Sequence, residues 1–170
     1  MPQLKDPNFE QTVVLLCEHG EEGALGLVVN RPTPFTLGDI YEGQEVEGSG
    51  GRDEPVHYGG PVQPEMGFVL YEGREYEGSM PAMGDVRLGT SREILRDIAA
   101  ERGPTRFLFC LGYAGWAPDQ LEQELARNDW LAVPAAAEIL FQVPAEQRWE
   151  RAIRALGIEP GMLSGGFGTA

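Results

Sequence analysis

The stretch RFLFCLGYAGWAPDQLEQEL, residues Arg106–Leu125, joins an apolar run, a run of small residues and an amphipathic run. Its first part, Arg106–Leu111, is short and continuously apolar, which predicts a buried strand. Pro118 is a favoured first-turn residue and predicts a helix carrying two leucines four residues apart. Between them, Gly112–Trp116 predicts a strand-to-helix corner, where glycines permit left-handed backbone angles or close packing. The alternative is that this bare backbone and its two rings form one wall of a ligand cleft.

Outward from this stretch, strands and helices are interspersed, but several early strands follow one another without helices. That order favours a single α+β domain with a mixed sheet over strict βαβ winding. A hairpin with a loop of about six residues is predicted from two apolar runs. Helices are indicated by capping and 3.6-residue periodicity. The predicted hairpin strands are Gln11–Cys17 and Ala24–Asn30, and further strands are Val56–Gly60, Met66–Tyr71 and Asp85–Leu88. The predicted helices begin after caps Thr36 and Thr90, at Pro118 and at Ala145, the last ending at Leu156.

Two segments rich in glycine and acidic residues, 42–55 and 72–83, interrupt these elements. Neither carries enough apolar surface to be ordered by itself. We interpret both as flexible acidic surface loops within one domain that spans residues 1–170, not as linkers between domains.

Charge and hydropathy exclude several classes of protein. The chain has 13 basic and 27 acidic residues, a net charge of −14, which argues against direct nucleic-acid binding and against anionic membrane surfaces. No run approaches the roughly 18 apolar residues of a membrane helix. The N-terminal residues lack the basic and apolar regions of a signal peptide, so we expect a cytoplasmic protein. Cys17 and Cys110 lie in apolar strand-like runs and are expected to be buried free thiols.

No recognisable catalytic or metal-binding pattern is present. Cys17 and His19 would face one way on an extended chain, but no second pair has structural-zinc spacing. There is no G-x-S-x-G nucleophile elbow and no phosphate loop with a Lys-Ser/Thr ending. Burial would make Cys110 inert. The sequence therefore predicts no catalytic residue, no metal and no cofactor.

Seven blocks, taken in order, resemble the YqgE/AlgH family of bacterial proteins, and they cover nearly the whole chain. They are LKDPNF (Leu4–Phe9), TVVLLCEHGEEGALGLVVNRP (Thr12–Pro32), YGGPV (Tyr58–Val62), GFVL (Gly67–Leu70), LGYAGWAPDQLEQELARNDWL (Leu111–Leu131), RW (Arg148 and Trp149) and LGIEPGMLS (Leu156–Ser164). The resemblance implies one α+β domain whose mixed sheet curls into a partly closed barrel, with about three to five flanking helices. It implies no catalysed reaction. The family's label of transcriptional regulator comes from a genetic role in alginate production, and the acidity of this chain fits poorly with operator contact.

The chain departs from the family pattern at both ends. Family members usually have an apolar strand before the Asp-Pro-x-Phe block, whereas this chain begins at Met1 and Pro2. We therefore expect that strand to be missing or truncated, and an unpaired edge would invite pairing with another chain. The family's C-terminal Gly-His-Ala is replaced by Gly168–Ala170, which lacks the histidine.

The family's recurrent polar, aromatic and glycine positions define the candidate binding site of this chain. They are Glu18, His19, Asn30, Arg31, Gly59, Gly60, Tyr113, Trp116, Gln120 and Glu122. Ligand sites often gather at strand ends, so we expect the first hairpin and the Gly–Trp stretch to share a solvent-accessible hollow. The competing interpretation is that these residues only specify one corner of the fold.

The leading hypothesis is a non-enzymatic binding or regulatory protein that acts through an unknown small ligand or protein partner. The alternative is an unrecognised hydrolase or transferase in which His19 is the base, helped by Glu18 in a cleft.

Overall fold

The computed structural model describes residues 9–164, with eight strands and six helices in that range. The strands are β1 Val14–Gly20, β2 Gly23–Val28, β3 Pro32–Thr36, β4 Pro55–Tyr58, β5 Val62–Glu72, β6 Met80–Met83, β7 Val86–Gly89 and β8 Phe107–Trp116. The helices are α1 Leu37–Gln44, α2 Arg92–Ala99, α3 Gln120–Ala126, α4 Ala137–Phe141, α5 Ala145–Ala155 and α6 Pro160–Ser164. The predicted departures at Met1, at Pro2 and at Gly168–Ala170 lie outside the described residues.

β8 is the central strand of the sheet and pairs with three others. One side of β8 pairs antiparallel with β5; the other side pairs parallel with β4 along Phe109–Leu111 and antiparallel with β2 along Ala114–Trp116. The sheet order is β1-β2-β8-β5-β7-β6, and β3 joins through β4. The two end strands, β1 and β6, contact each other, so the sheet is nearly closed into a barrel. This confirms the predicted single α+β domain with a mixed, partly closed sheet, and its six helices slightly exceed the expected number.

Side-chain alternation along β8 divides the core between the two faces of the sheet, because successive strand residues point to opposite sides. Leu108 and Cys110 pack with the hairpin residues Leu15 and Leu27. Phe109 packs on the other face, against residues of α1 and α2. A strand buried on both faces needs the near-continuous apolar sequence that β8 has.

The glycine-rich end of β8 corrects the predicted corner. Gly112–Trp116 continues the strand, and the chain turns only at 117–119, before α3. Gly112 nevertheless has a backbone conformation that favours glycine, because its φ is +73°. The strand continues because β2 and β5 supply backbone partners there, which local sequence cannot reveal.

The first hairpin is tighter than predicted. β1 continues through Gly20, and only Glu21 and Glu22 separate it from β2. The predicted loop length of about six residues was therefore wrong. His19 is therefore a strand residue that pairs with Ala24. Pro32 begins β3, a position where proline costs no ladder hydrogen bond.

Two of the predicted helix starts need small corrections. Thr36 is the N-cap residue of α1, as predicted, and Ser91 rather than Thr90 caps α2 by accepting from the Glu93 N–H. α3 begins at Gln120, two residues after Pro118, and α5 begins at Ala145 as predicted.

Parts of the two acidic segments are regular structure. Residues 42–44 belong to α1, Pro55 begins β4, and residues 80–83 form β6. Between these, the N–H groups of Ser49 and Gly50 donate to the Ala99 carbonyl at the end of α2, at 3.1 and 3.0 Å. The prediction that both ranges are loops along their whole length is therefore wrong. The flexibility of the residues outside helices and strands stays a prediction.

Substitution of two glycines tests the close approach of the loop after β4 to β8. Gly60 has a φ of +154°, and a Cβ there would lie 2.1 Å from the Tyr113 carbonyl carbon. We expect Gly60→Ala to lower the free energy of unfolding by at least ~2 kcal/mol in urea denaturation. The control is Gly43→Ala in α1, where a Cβ meets nothing within 4 Å and alanine should stabilise the helix by about 0.5 kcal/mol or more. Equal unfolding midpoints for the two variants would contradict the packing at Gly60.

Candidate functional site

The pairing of β2 with β8 brings the first hairpin to the start of α3. His19 Nε2 lies 2.5 Å from Glu122 Oε1, and the two side chains are 45% and 49% exposed. The hydrogen bond with His19 lowers the pKa of Glu122. The carboxylate that contacts His19 is thus Glu122 and not its strand neighbour Glu18, which is exposed on β1. Because both groups are half-exposed, solvent screens their attraction.

A second carboxylate beside this pair accepts hydrogen bonds from two indoles. Trp116 Nε1 and Trp130 Nε1 donate to Glu124 Oε2 at 2.9 and 2.7 Å. Gln120 Nε2 donates to Glu124 Oε1 at 2.9 Å, while Gln120 Oε1 accepts from the Ala117 N–H at 2.9 Å. Charge-assisted hydrogen bonds of this kind are stronger than neutral ones, so Glu124 holds α3 against the end of β8. Glu124 is not among the residues that the sequence predicted for the site.

Asn30 and Arg31 lie at the opposite end of the hairpin from His19. Asn30 Oδ1 accepts from the Val13 N–H at 2.8 Å, and its Nδ2 donates to the Gln11 carbonyl at 2.9 Å. Arg31 Nη2 donates to the Glu10 carbonyl at 2.8 Å. Val13 and His19 are six strand residues apart, roughly 20 Å. These two side chains therefore hold the segment that enters β1 and do not face His19 across a common hollow.

Gly59, Gly60 and Tyr113 lie where the chain after β4 meets β8. The Gly59 N–H donates to the Leu111 carbonyl, and its own carbonyl accepts from the Val28 N–H, both at 2.8 Å. The Tyr113 ring makes an edge contact with Phe68 at 5.7 Å. Of the predicted site residues, the structure thus brings together His19, Trp116, Gln120 and Glu122, and it places the rest elsewhere.

A buried cation, Arg148 of α5, was not found by sequence reasoning beyond its place in a family block. It is 6% exposed. Its Nη1 donates to the Val29 carbonyl and lies 3.4 Å from His57 Nε2, and its Nε donates to the Val143 carbonyl at 2.9 Å. Within residues 9–164, no carboxylate forms an ion pair with it. Burial lowers the pKa of Arg148, and carbonyl oxygens supply the polar partners that a buried charge requires.

His57 is the neutral partner of this cation. Burial, and then the charge of Arg148, lower the pKa of His57 to about 4, against a weaker opposing effect of the Phe109 and Pro55 backbone. Because Nε2 faces the Arg148 guanidinium, it is the acceptor, and the ring proton lies on Nδ1.

The cysteines are buried and unpaired, as predicted. Burial raises the pKa of Cys17 and of Cys110 to about 12. A thiol with so high a pKa carries almost no thiolate near neutral pH and is a poor nucleophile. Across the described range, no three His, Cys, Asp or Glu side chains form a group that could hold a metal ion.

A hollow lies along the outer edge of β1, and we call it the β1 groove. Its volume is about 280 Å³. Its walls are almost entirely apolar and include residues 12–16, the three tryptophans, Leu121 and Leu125 of α3, and residues 131–136 before α4. Leu16 and Leu125 are 38% and 37% exposed. Among the predicted site residues only Trp116 lines it, so the polar set and the hollow are separate features.

One sequence signal for this groove was available. Residues Val13–Leu16 are apolar at every position, whereas a strand with one solvated face alternates apolar and polar residues. The sequence therefore indicates that both faces of β1 pack against other residues. In the structure, one of these faces lines the open β1 groove.

A second hollow, of about 270 Å³, lies between α1, β5 and the start of α2. Its walls mix apolar residues with Asp39, Glu65 and Arg92, and none of the predicted site residues lines it. The described helices include none with the length and apolarity required to cross a bilayer.

These features define a single-domain α+β protein with a nearly closed, barrel-like sheet. The chain belongs to the AlgH-like family, whose family model matches residues 1–161. The resemblance seen in the sequence blocks is therefore confirmed.

Relatives of known sequence or structure extend over the whole chain. A UPF0301 protein of Ralstonia nicotianae is 49% identical over 173 residues, covering 100% of this chain and 91% of the relative. The solution structure of the AlgH protein from Pseudomonas aeruginosa has a TM-score of 0.82 and 41% identity, covering 100% of this chain and 92% of that one. A crystal structure of a Corynebacterium diphtheriae protein, with a TM-score of 0.70, 19% identity and coverage of 96% and 85%, shares the fold.

The pH dependence of stability tests the buried His57–Arg148 contact. His57 has a pKa of about 4 in the folded chain, against about 6.5 when unfolded. The unfolded state therefore binds the proton first, and the stabilising effect of neutral His57 is lost as the pH falls from about 6.5 to 4. We expect this to remove up to roughly 3 kcal/mol from the free energy of unfolding.

The matched variant is His57→Asn, which keeps a polar side chain but does not titrate. Urea unfolding of both proteins across this pH range should show a shallower pH dependence for the variant. Parallel curves would show that His57 does not resist protonation in the folded state.

Proposed function

We propose that this chain is a non-enzymatic binding protein of the cytoplasm with a regulatory role, and that the β1 groove is its binding surface. The observation that supports this most directly is a concave apolar surface with two half-exposed leucines, Leu16 and Leu125, and three tryptophans in its walls. Ligand sites are typically concave and mostly apolar, with few polar groups.

The chemistry of the remaining side chains supports binding over catalysis. The thiols have raised pKa values, and within the described residues the ligand set for a metal is missing. The acidic composition favours a small ligand or a protein partner over direct contact with DNA, because phosphate recognition requires a basic surface. A regulatory role would then be exerted through that partner.

The groove can be tested with the intrinsic fluorescence of its tryptophans. Purified protein is titrated with metabolites, nucleotides and short peptides, while tryptophan emission and amide NMR shifts are recorded. We expect at least one compound to shift amides of residues 12–16 together with the emission, and Leu16→Glu to weaken its binding about tenfold or more, because a charge in an apolar contact is poorly solvated.

The control is Phe35→Ser, which removes an apolar side chain that is 55% exposed and does not line the groove. It should bind as the parent protein does. If no compound perturbs the groove, or if both variants lose binding equally, the groove is not the binding surface.

The second candidate is a hydrolase or transferase in which His19 is the general base. The short contact between His19 and Glu122 favours it, because a carboxylate can orient an imidazole for proton transfer. In this candidate Glu122 takes the orienting role that the sequence suggested for Glu18.

A neutral ester such as p-nitrophenyl acetate tests this candidate directly. If the chain is a binding protein, the parent and His19→Ala should hydrolyse the ester at equal background rates near pH 7. A rate well above background that is lost in His19→Ala, with an unchanged amide spectrum, would establish the enzyme and reject the leading proposal. Glu122→Gln keeps the size of the side chain and separates an orienting carboxylate from a packing role.

A further inference from the structure

The outer edge of β1 has backbone groups that pair with no described residue. Val14 faces Val28 across the β1–β2 pair, and the flanking bond runs from the Val29 N–H to the Val13 carbonyl at 2.9 Å. In an antiparallel ladder, this pattern makes Val14 a non-hydrogen-bonded position, so its N–H and C=O point away from β2. The same alternation turns those of Leu16 outward. β1 ends the sheet order on this side. The other end strand, β6, contacts β1 without a paired register, and its last residue, Met83, is one of the residues that line the β1 groove.

These outward groups lie at the β1 groove, because all of residues 12–16 line it. Side chains on both faces of the edge are apolar there. Val14 packs with Trp116 and Trp130, while Val13 and Leu15 pack with the barrel interior. A strand laid along this edge would find hydrogen-bond partners and apolar contacts on both of its faces, the two requirements of strand addition.

Charge selects among the occupants that such an edge can take. Glu10 and Glu18 are exposed at the two ends of residues 12–16. A second copy of this chain would bring another net charge of −14 to the same acidic surroundings. A strand with basic flanking residues instead gains attraction at both ends.

We propose that the β1 groove binds an extended apolar segment of a basic partner protein, which adds to the sheet as a strand along Val14–Leu16. This inference rests on the proposed function and specifies its partner. The arginines or lysines that flank the segment would lie near Glu10 and Glu18, and its backbone would pair with the outward groups of Val14 and Leu16.

Three capped octapeptides test the mode of binding. The first has alternating valine and threonine between terminal arginines; the second replaces the arginines with glutamates. The third is the first peptide with N-methyl groups on the amides of one backbone edge. We expect the arginine peptide to bind and to shift the amides of residues 12–16. The glutamate peptide should bind roughly tenfold more weakly or worse, because it has lost the charge attraction. The N-methylated peptide should bind roughly tenfold more weakly or worse, because it has lost backbone hydrogen bonds.

Val14→Pro tests the same edge from the protein side. Val14 is the first residue of an end strand, where proline is tolerated, and the substitution removes an N–H that β2 does not use. We expect about a tenfold or larger loss of affinity for the arginine peptide, with an unfolding midpoint close to that of the parent. Phe35→Ser is the control and should bind unchanged. A second variant, Leu16→Glu, removes an apolar contact without altering the backbone.

The outcomes separate this inference from the proposed function. Equal binding of the N-methylated and arginine peptides, or unchanged binding by Val14→Pro, would overturn strand addition while leaving the groove as a binding surface. Binding of apolar metabolites but of no peptide would do the same. A concentration-dependent dimer in sedimentation, abolished by Val14→Pro, would assign the edge to a second copy and overturn the basic partner. No perturbation of the groove by any compound would overturn both proposals.

Discussion

The backbone hydrogen bonds of β8 are the constraint on which the rest of the structure depends. A central strand must satisfy its N–H and C=O groups on both sides, because an unpaired buried backbone group is costly. β5 satisfies one side, while β4 and β2 divide the other. Because β4 and β2 share one side of β8, the chain after β4 must leave the sheet where β2 begins to pair. Gly59 and Gly60 lie at that point, and their backbone is too close to β8 to leave room for a side chain.

The same division places both features of functional interest. Because β2 pairs with the end of β8, the hairpin lies beside α3, and His19 contacts Glu122. Because β2 is covered on its other side by β1, the outer edge of β1 becomes the boundary of the sheet, where it meets the β1 groove. Glu124 connects the two regions by accepting hydrogen bonds from Trp116 and Trp130, whose rings wall the groove. A compound bound there would therefore act on side chains that position α3.

The buried Arg148 shows how the C-terminal helices are attached without an ion pair. Its guanidinium reaches the Val29 carbonyl at the end of the hairpin and approaches His57 on β4. A buried charge that loses its partners is strongly destabilising, whereas carbonyl dipoles satisfy it without a carboxylate. The attachment joins α5 to the end of the hairpin and to β4, and so it fixes one wall of the β1 groove.

The sequence by itself determined the fold class, the family and most of the regular elements, because apolar periodicity and capping residues act locally. It predicted α5 to within a residue and identified the core part of β8. It did not determine that Gly112–Trp116 is strand, since its partners are distant in the chain, nor that Glu122 rather than Glu18 contacts His19. Only the tertiary structure decided which residues share a site: it separated Asn30 from His19 along the hairpin, and it created the β1 groove from segments that approach each other only when the sheet curls.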